Sequence, residues 1–198
     1  MPRDATHTRE RLIREAERLF ARNGAWQVAV REIAVAAGQR NASVIHYHFG
    51  SLDGLRLAIL QRHGGPADAA RGTYLENLGH DPSTRELVDA LLVAYSGSLR
   101  SPAGRDYLRI VAQHTGYFSN WETVPDSPCL VEILRRLRDT PAGLSPEVRE
   151  QRVITIVILI SGAMGERAKH LDRDRVPGLD HQGFVNNLAN MIVAALLA

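Results

Sequence analysis

A run of hydrogen-bonding side chains, Gln39-Arg40-Asn41, continues through Ser43, His46, Tyr47 and His48, with Arg31 ahead of it. Guanidinium, carboxamide, hydroxyl and imidazole groups without a carboxylate among them suit a polyanion that also presents hydrogen-bonding edges. Double-stranded nucleic acid, with its phosphates and base edges, is such a surface. Other chemistries fit less well. His46 and His48 form an H-x-H pair, but no third ligand follows at a matching spacing, so no metal and no cofactor are expected. Asn41-Ala42-Ser43 has the form of a glycosylation acceptor, which matters only in a secreted chain. An enzyme would have to rest on His114 and the lone Cys129; there is no triad pattern, no phosphate-binding glycine loop and no carboxylate pair, so no enzymatic activity is expected.

Such side chains need a scaffold that presents them on one face. A first helix is expected over 8–22, with Leu12, Ile13, Ala16, Leu19 and Phe20 forming an apolar stripe and Asn23-Gly24 ending it. A short helix over 30–37 puts Val30, Ile33, Ala34 and Ala37 on one face, and Gly38 supplies a turn. The reading segment, from Asn41 to about His48, is too short to stand alone and must pack on its neighbours. Small residues at Ala34, Ala36 and Ala37 permit close approach of the two backbones. Phe20, Leu19, Ile33, Val44 and Phe49 are expected in the core. Ser51 caps a further helix over 52–63, which Gly64-Gly65-Pro66 should close, and the boundary between two domains, 1–63 and 64–198, is placed there.

At these residues the sequence resembles the tetracycline-repressor (TetR) family of regulators. The resemblance covers roughly 8–63 and rests on Ala16 to Gly24 (Ala-x-x-Leu-Phe-Ala-x-x-Gly), Val30 to Gly38 and Tyr47 to Ser51. It departs at Ala29 and Leu52, where many members carry a hydroxyl cap and a Lys, and an extra residue precedes the Tyr47 element. The resemblance implies an all-α homodimer: a three-helix helix-turn-helix head, a connecting helix, and a larger helical body that binds a small ligand and dimerises. It also implies a phosphate contact at Tyr47.

Beyond the boundary, helices are expected over about 67–78, 84–100, 104–121, 128–139, 146–170 and 181–197. The β-branched run from Val153 to Ile160 could be a buried strand, but no partner strand is available, so helix is preferred. Tyr107, Ile110, Val111, His114, Tyr117, Phe118 and Trp121 recur near one stripe, and Tyr95 and Leu99 join them from the preceding helix. Rings with a few polar tips suit a cavity for an apolar or aromatic ligand, though they equally suit plain core. Two apolar helices could pair across a two-fold axis, through Val153, Ile156, Val157, Ile160 and Met164 on one and Phe184, Leu188, Met191 and Ile192 on the other.

Charge and composition agree with this division. The chain of 198 residues has a net charge of +2. Residues 1–65 hold ten Arg against six acids, while the remainder is slightly acidic. A single Cys excludes an internal disulfide, and with no signal peptide or spanning segment evident, a cytoplasmic protein is expected. The expected function is a ligand-responsive repressor that binds a palindromic DNA operator as a homodimer. A constitutive DNA-binding regulator without a ligand is the alternative.

Overall fold

The computed structural model describes residues 2–113, 121–122, 124, 126–140, 142–173 and 178–198, with backbone alone for 2–4. The described residues are helical with no strand, in the order α1 (Pro2–Asn23), α2 (Val30–Ala36), α3 (Ser43–Phe49), α4 (Leu52–Glu76), α5 (Thr84–Ser98), α6 (Pro102–Gln113), α7 (Pro128–Asp139), α8 (Pro146–Asp172) and α9 (His181–Leu197). The chain divides into two compact units, Met1–His63 and Gly64–Ala198.

In the first unit, Leu12, Ile13, Ala16 and Phe20 of α1 are buried, as are Leu55, Ala58 and Ile59 of α4. Polar clamps join the two helices: Glu17 Oε1 lies 2.8 Å from His63 Nε2, and Arg62 donates to Glu10 at 2.9 Å. Arg56, 9% exposed, donates from Nε and Nη2 to the Ala25 carbonyl at 3.2 and 2.7 Å and pairs with Asp53. Its guanidinium lies over the Trp26 ring at 4.3 Å, so the loop after α1 is fixed by one arginine.

The expected stop at Gly64-Gly65-Pro66 does not occur. α4 runs through all three residues, and the separate helix expected over 67–78 is its continuation. Proline disfavours the helical conformation in the preceding residue mainly by colliding with its Cβ and N–H. Gly65 has no Cβ, and this helix tolerates the lost amide hydrogen bond of Pro66. The boundary between the units therefore falls within a helix rather than in a linker.

In the second unit, α6 packs chiefly on α8, and α5 on α9 and α7. Gly165 of α8 makes the first contact possible: a Cβ there would lie 2.6 Å from the Ala112 Cβ and 3.3 Å from the Leu108 carbonyl. The β-branched run from Val153 to Ile160 is helical, inside α8. α6 ends at Gln113, short of the 104–121 expected, and 114–120 lie outside the described residues. Ser83 and Glu86 form a reciprocal capping box at the start of α5, and Asp180 caps α9 through the Gly183 amide at 2.7 Å. Among the described residues no helix is long and apolar enough to cross a membrane.

Candidate nucleic-acid interface

The turn between α2 and α3 is built from backbone. After Ala36 the chain closes with the Gly38 amide donating to the Val35 carbonyl at 2.9 Å and the Gln39 amide to the Ala34 carbonyl at 2.8 Å. This is the paired pattern of a Schellman stop, which puts its penultimate residue in the left-handed region. Gly38 has φ +69°, the conformation that favours glycine, whereas an added Cβ would meet only the movable end of the Arg11 side chain. Ala34 and Ala37 are buried beneath this turn and Ala36 is half-buried.

α3 begins at Ser43, two residues after the expected start at Asn41. The Asn41 Oδ1 accepts the Ser43 amide at 2.9 Å, the local bond with which asparagine opens a helix. Asn41 thus gives its carbonyl oxygen to the scaffold and has its NH2 to offer a partner. The anchor of α3 is Ile45, 1% exposed, whereas Val44, Phe49 and Leu19, expected in the core, are half-buried. Phe49 carries the Arg9 guanidinium over its ring at 5.1 Å. α2 starts at Ala29 with no side-chain cap, and the Ser51 Oγ accepts the Gly54 amide at 2.9 Å to start α4.

With Ile45 turned inward, the opposite face of α3 is open. Arg40, Asn41, Ser43 and His46 are exposed and Gln39 is half-buried. Tyr47 is 81% exposed, so its ring and hydroxyl are open to a partner. Gln39, Arg40, Asn41, Ser43 and Tyr47 share one open groove of about 560 Å³ with Gly38 and Val44. Five of the eight sequence-derived candidates thus converge there. Arg31 is exposed on α2, and His46 and His48 do not line the groove. His48 is half-buried with its ring edge-on to Tyr47 at 4.9 Å, so it helps hold the tyrosine. Among the described residues no cluster of three His, Cys, Asp or Glu could hold a metal ion.

The ring cluster expected in the body is divided. Tyr95, Leu99, Tyr107, Ile110, Val111 and Trp121 are all buried; His114, Tyr117 and Phe118 lie outside the described residues. Burial pushes the Tyr107 phenol well up, Tyr95 adding to the rise and Arg71 opposing it, so it stays a neutral hydrogen-bonding group. Trp121 belongs elsewhere: its Nε1 donates to Glu150 at 2.6 Å and the Arg138 guanidinium lies 5.6 Å from its ring. Burial, with Asp68 beside it, raises the Cys129 thiol, which makes it a poor nucleophile. Asp68 and Arg71 of α4 are both buried, and nothing in their spacing marks them in the sequence.

The dimerisation stripe needs correction. Val153, Ile156, Val157, Ile160, Met164, Leu188 and Ile192 are at most 3% exposed within one chain, so they are core and have no surface to give a partner. Phe184 is half-buried, with Arg167 over its ring at 5.0 Å. Of the nine, Met191 alone is exposed, at 50%. Periodicity identified the more apolar face of each helix, and a single chain buries that face in itself.

This arrangement defines a helix-turn-helix DNA-binding unit: two short helices joined by a glycine turn, with an exposed basic and polar second helix. Residues 12–59 match the family model for bacterial regulatory proteins of the tetR family. No curated protein matches the chain. Among solved structures the fold resembles NalD, the secondary repressor of the MexAB-OprM multidrug efflux pump in Pseudomonas aeruginosa, at 19% identity over 98% of this chain and 97% of that one, with a TM-score of 0.64. A TetR-family regulator from Streptomyces coelicolor is similar at 21% identity over 96% and 95%, TM-score 0.54. A gamma-butyrolactone receptor is similar at 17% identity over 96% of this chain and 98% of that one, TM-score 0.51. The family likeness thus covers the DNA-binding unit, and the solved structures, all under 25% identical, show that the whole chain shares their fold.

Proposed function

We propose that the protein is a ligand-responsive repressor that binds a palindromic operator as a homodimer. The observation that carries the reading is the groove from Gly38 to Tyr47, exposed, basic and free of carboxylates, on a left-handed turn that favours glycine. Arg40 and Gln39 have the chemistry for base edges, while Arg31, Ser43 and Tyr47 suit phosphate oxygens. His46 and His48 stand beside them on α3.

The homodimer reading is kept, but on the outer faces of α8 and α9. Thr155, Ile158 and Gly162 form an exposed stripe on α8, and Met191, Ala194 and Ala195 one on α9. Ile158 is 41% exposed, and a Cβ at Gly162 would meet nothing within 4 Å, so a second helix could approach closely. A two-fold axis there would present two reading helices to half-sites about 34–36 Å apart. NalD is a repressor and the butyrolactone receptor is named for a small organic molecule, which supports an effector in the body. The effector would favour a state whose heads no longer match both half-sites, and its differential affinity for the two states bounds the loss of DNA binding.

Gel-shift titration tests the interface. Arg40→Ala and Tyr47→Ala should each weaken operator binding about tenfold or more, the size of one charge-assisted bond. Arg31→Ala, which removes a phosphate contact, should reduce the salt slope by about 0.9. Unchanged affinity in the Arg40 and Tyr47 variants would remove α3 as the reading element.

A further inference from the structure

Arg71 of α4 is 3% exposed, yet its guanidinium donates no hydrogen bond to any described residue, and its Nε is buried without a partner. Other buried arginines of this chain find acceptors: Arg56, 9% exposed, donates twice to the Ala25 carbonyl and again to Asp53, and Arg167, 4% exposed with its Nε likewise unpartnered, donates to the Leu179 carbonyl at 2.9 Å. The nearest carboxylate to Arg71 is Asp68, whose Oδ1 lies 3.7 Å from Nη1, beyond hydrogen-bond reach. Asp68 is engaged elsewhere. Its two oxygens accept the Cys129 and Leu130 amides at 2.9 and 2.8 Å, at the first turn of α7.

The local balance of charge therefore favours a visiting anion. A helix N-terminus carries roughly half a positive charge, so α7, Asp68 and Arg71 together keep a net positive balance. A guanidinium fork that meets no acceptor within hydrogen-bond reach among the described residues can receive a planar oxyanion in two parallel bonds. The apolar surroundings suit an aromatic or aliphatic body behind that group. The Tyr95 ring lies 5.0 Å from the guanidinium, and Tyr107, buried on α6, interacts electrostatically with both.

We propose that Arg71 is the recognition residue for the effector, and that the effector is a small organic carboxylate whose apolar body packs against Tyr95 and Tyr107. This rests on the reading of the body as a ligand-binding unit and narrows it to one chemical class. In a repressor of this kind the bound oxyanion completes the hydrogen bonding of Arg71, so effector binding stabilises the state that holds it.

Isothermal titration and thermal shift on the full-length chain, with benzoate, 2-naphthoate, phenylacetate and decanoate beside their uncharged amides, test the proposal. At least one carboxylate should bind about tenfold or more tightly than its amide. Arg71→Met should abolish that preference, and Arg71→Lys, which keeps charge but not the fork, should restore part of it. If Arg71→Met fails to fold, the acid-to-amide ratio on the unmodified chain still decides. Equal binding of acid and amide, amides alone binding, or silence across all the carboxylates would overturn it. Amides that bind and release operator DNA would leave the ligand-responsive reading intact while removing Arg71; absence of operator binding altogether would remove that reading instead.

Discussion

Tyr47 and Asn41 show how one short segment separates presenting from positioning. Asn41 spends its carbonyl oxygen on opening α3, His48 braces the Tyr47 ring, and Tyr47 is left outermost at 81% exposure. The residue types were legible in the sequence, because Gln39, Arg40, Ser43 and Tyr47 have few other uses on a short helix. The division of labour was not, since it depends on which atom of Asn41 meets the Ser43 amide. A second residue gives a pH prediction. His181, at the start of α9, lies 2.8 Å from the Ser96 hydroxyl, and burial, then Arg100 and Arg167, lowers its pKa below 6.5. A histidine held neutral in the fold takes up a proton more readily when unfolded, so stability falls as pH drops below that value. Melting temperatures at about pH 7.5 and about pH 5.5 should show a larger acid-side loss in the natural chain than in His181→Gln; equal losses would assign the effect to other groups.

α4 is where local signals and the fold part. Gly64-Gly65-Pro66 reads as a stop by every local rule, yet the helix crosses it, because the residue before the proline has no Cβ to collide. Propensity along a segment cannot register that buried groups on both sides, Leu55 and Ile59 before and Asp68 and Arg71 after, hold one continuous helix in place. The consequence is a change of sign. Pro66→Ala should stabilise the chain by on the order of 1–3 kcal/mol, since proline costs about 3 kcal/mol relative to alanine inside a helix. Gly65→Ala should destabilise the natural chain but stabilise the Pro66→Ala variant, by up to about 1 kcal/mol in the second case. Urea unfolding of the four chains measures it, and the same sign in both backgrounds would refute the account of why α4 continues. The apolar faces of α8 and α9 failed differently: their periodicity was read correctly, but hydrophobicity does not say whether a face meets its own chain or a copy.

For the whole molecule, the all-α class and the character of the first unit were legible because a glycine turn, small contact residues and a basic surplus of ten Arg against six acids in residues 1–65 agree. The body was legible as helices only, since an aromatic stripe serves core and cavity alike, and Tyr107 and Trp121 proved to have separate neighbourhoods. If the outer faces of α8 and α9 join two copies, Ile158→Glu with Met191→Glu should convert a dimer of the 21.9 kDa chain into monomer in sedimentation, whereas Val153→Ala should loosen the fold without that selectivity. The central claim, that the 38–47 groove reads DNA, is tested most directly by selecting bound sequences from a random duplex pool with the full-length protein. The account predicts an enriched palindrome with half-sites about one helical turn apart, and loss of that enrichment in Arg40→Ala with Tyr47→Ala. No enriched sequence, or the same palindrome at the same strength from the double variant, would contradict it.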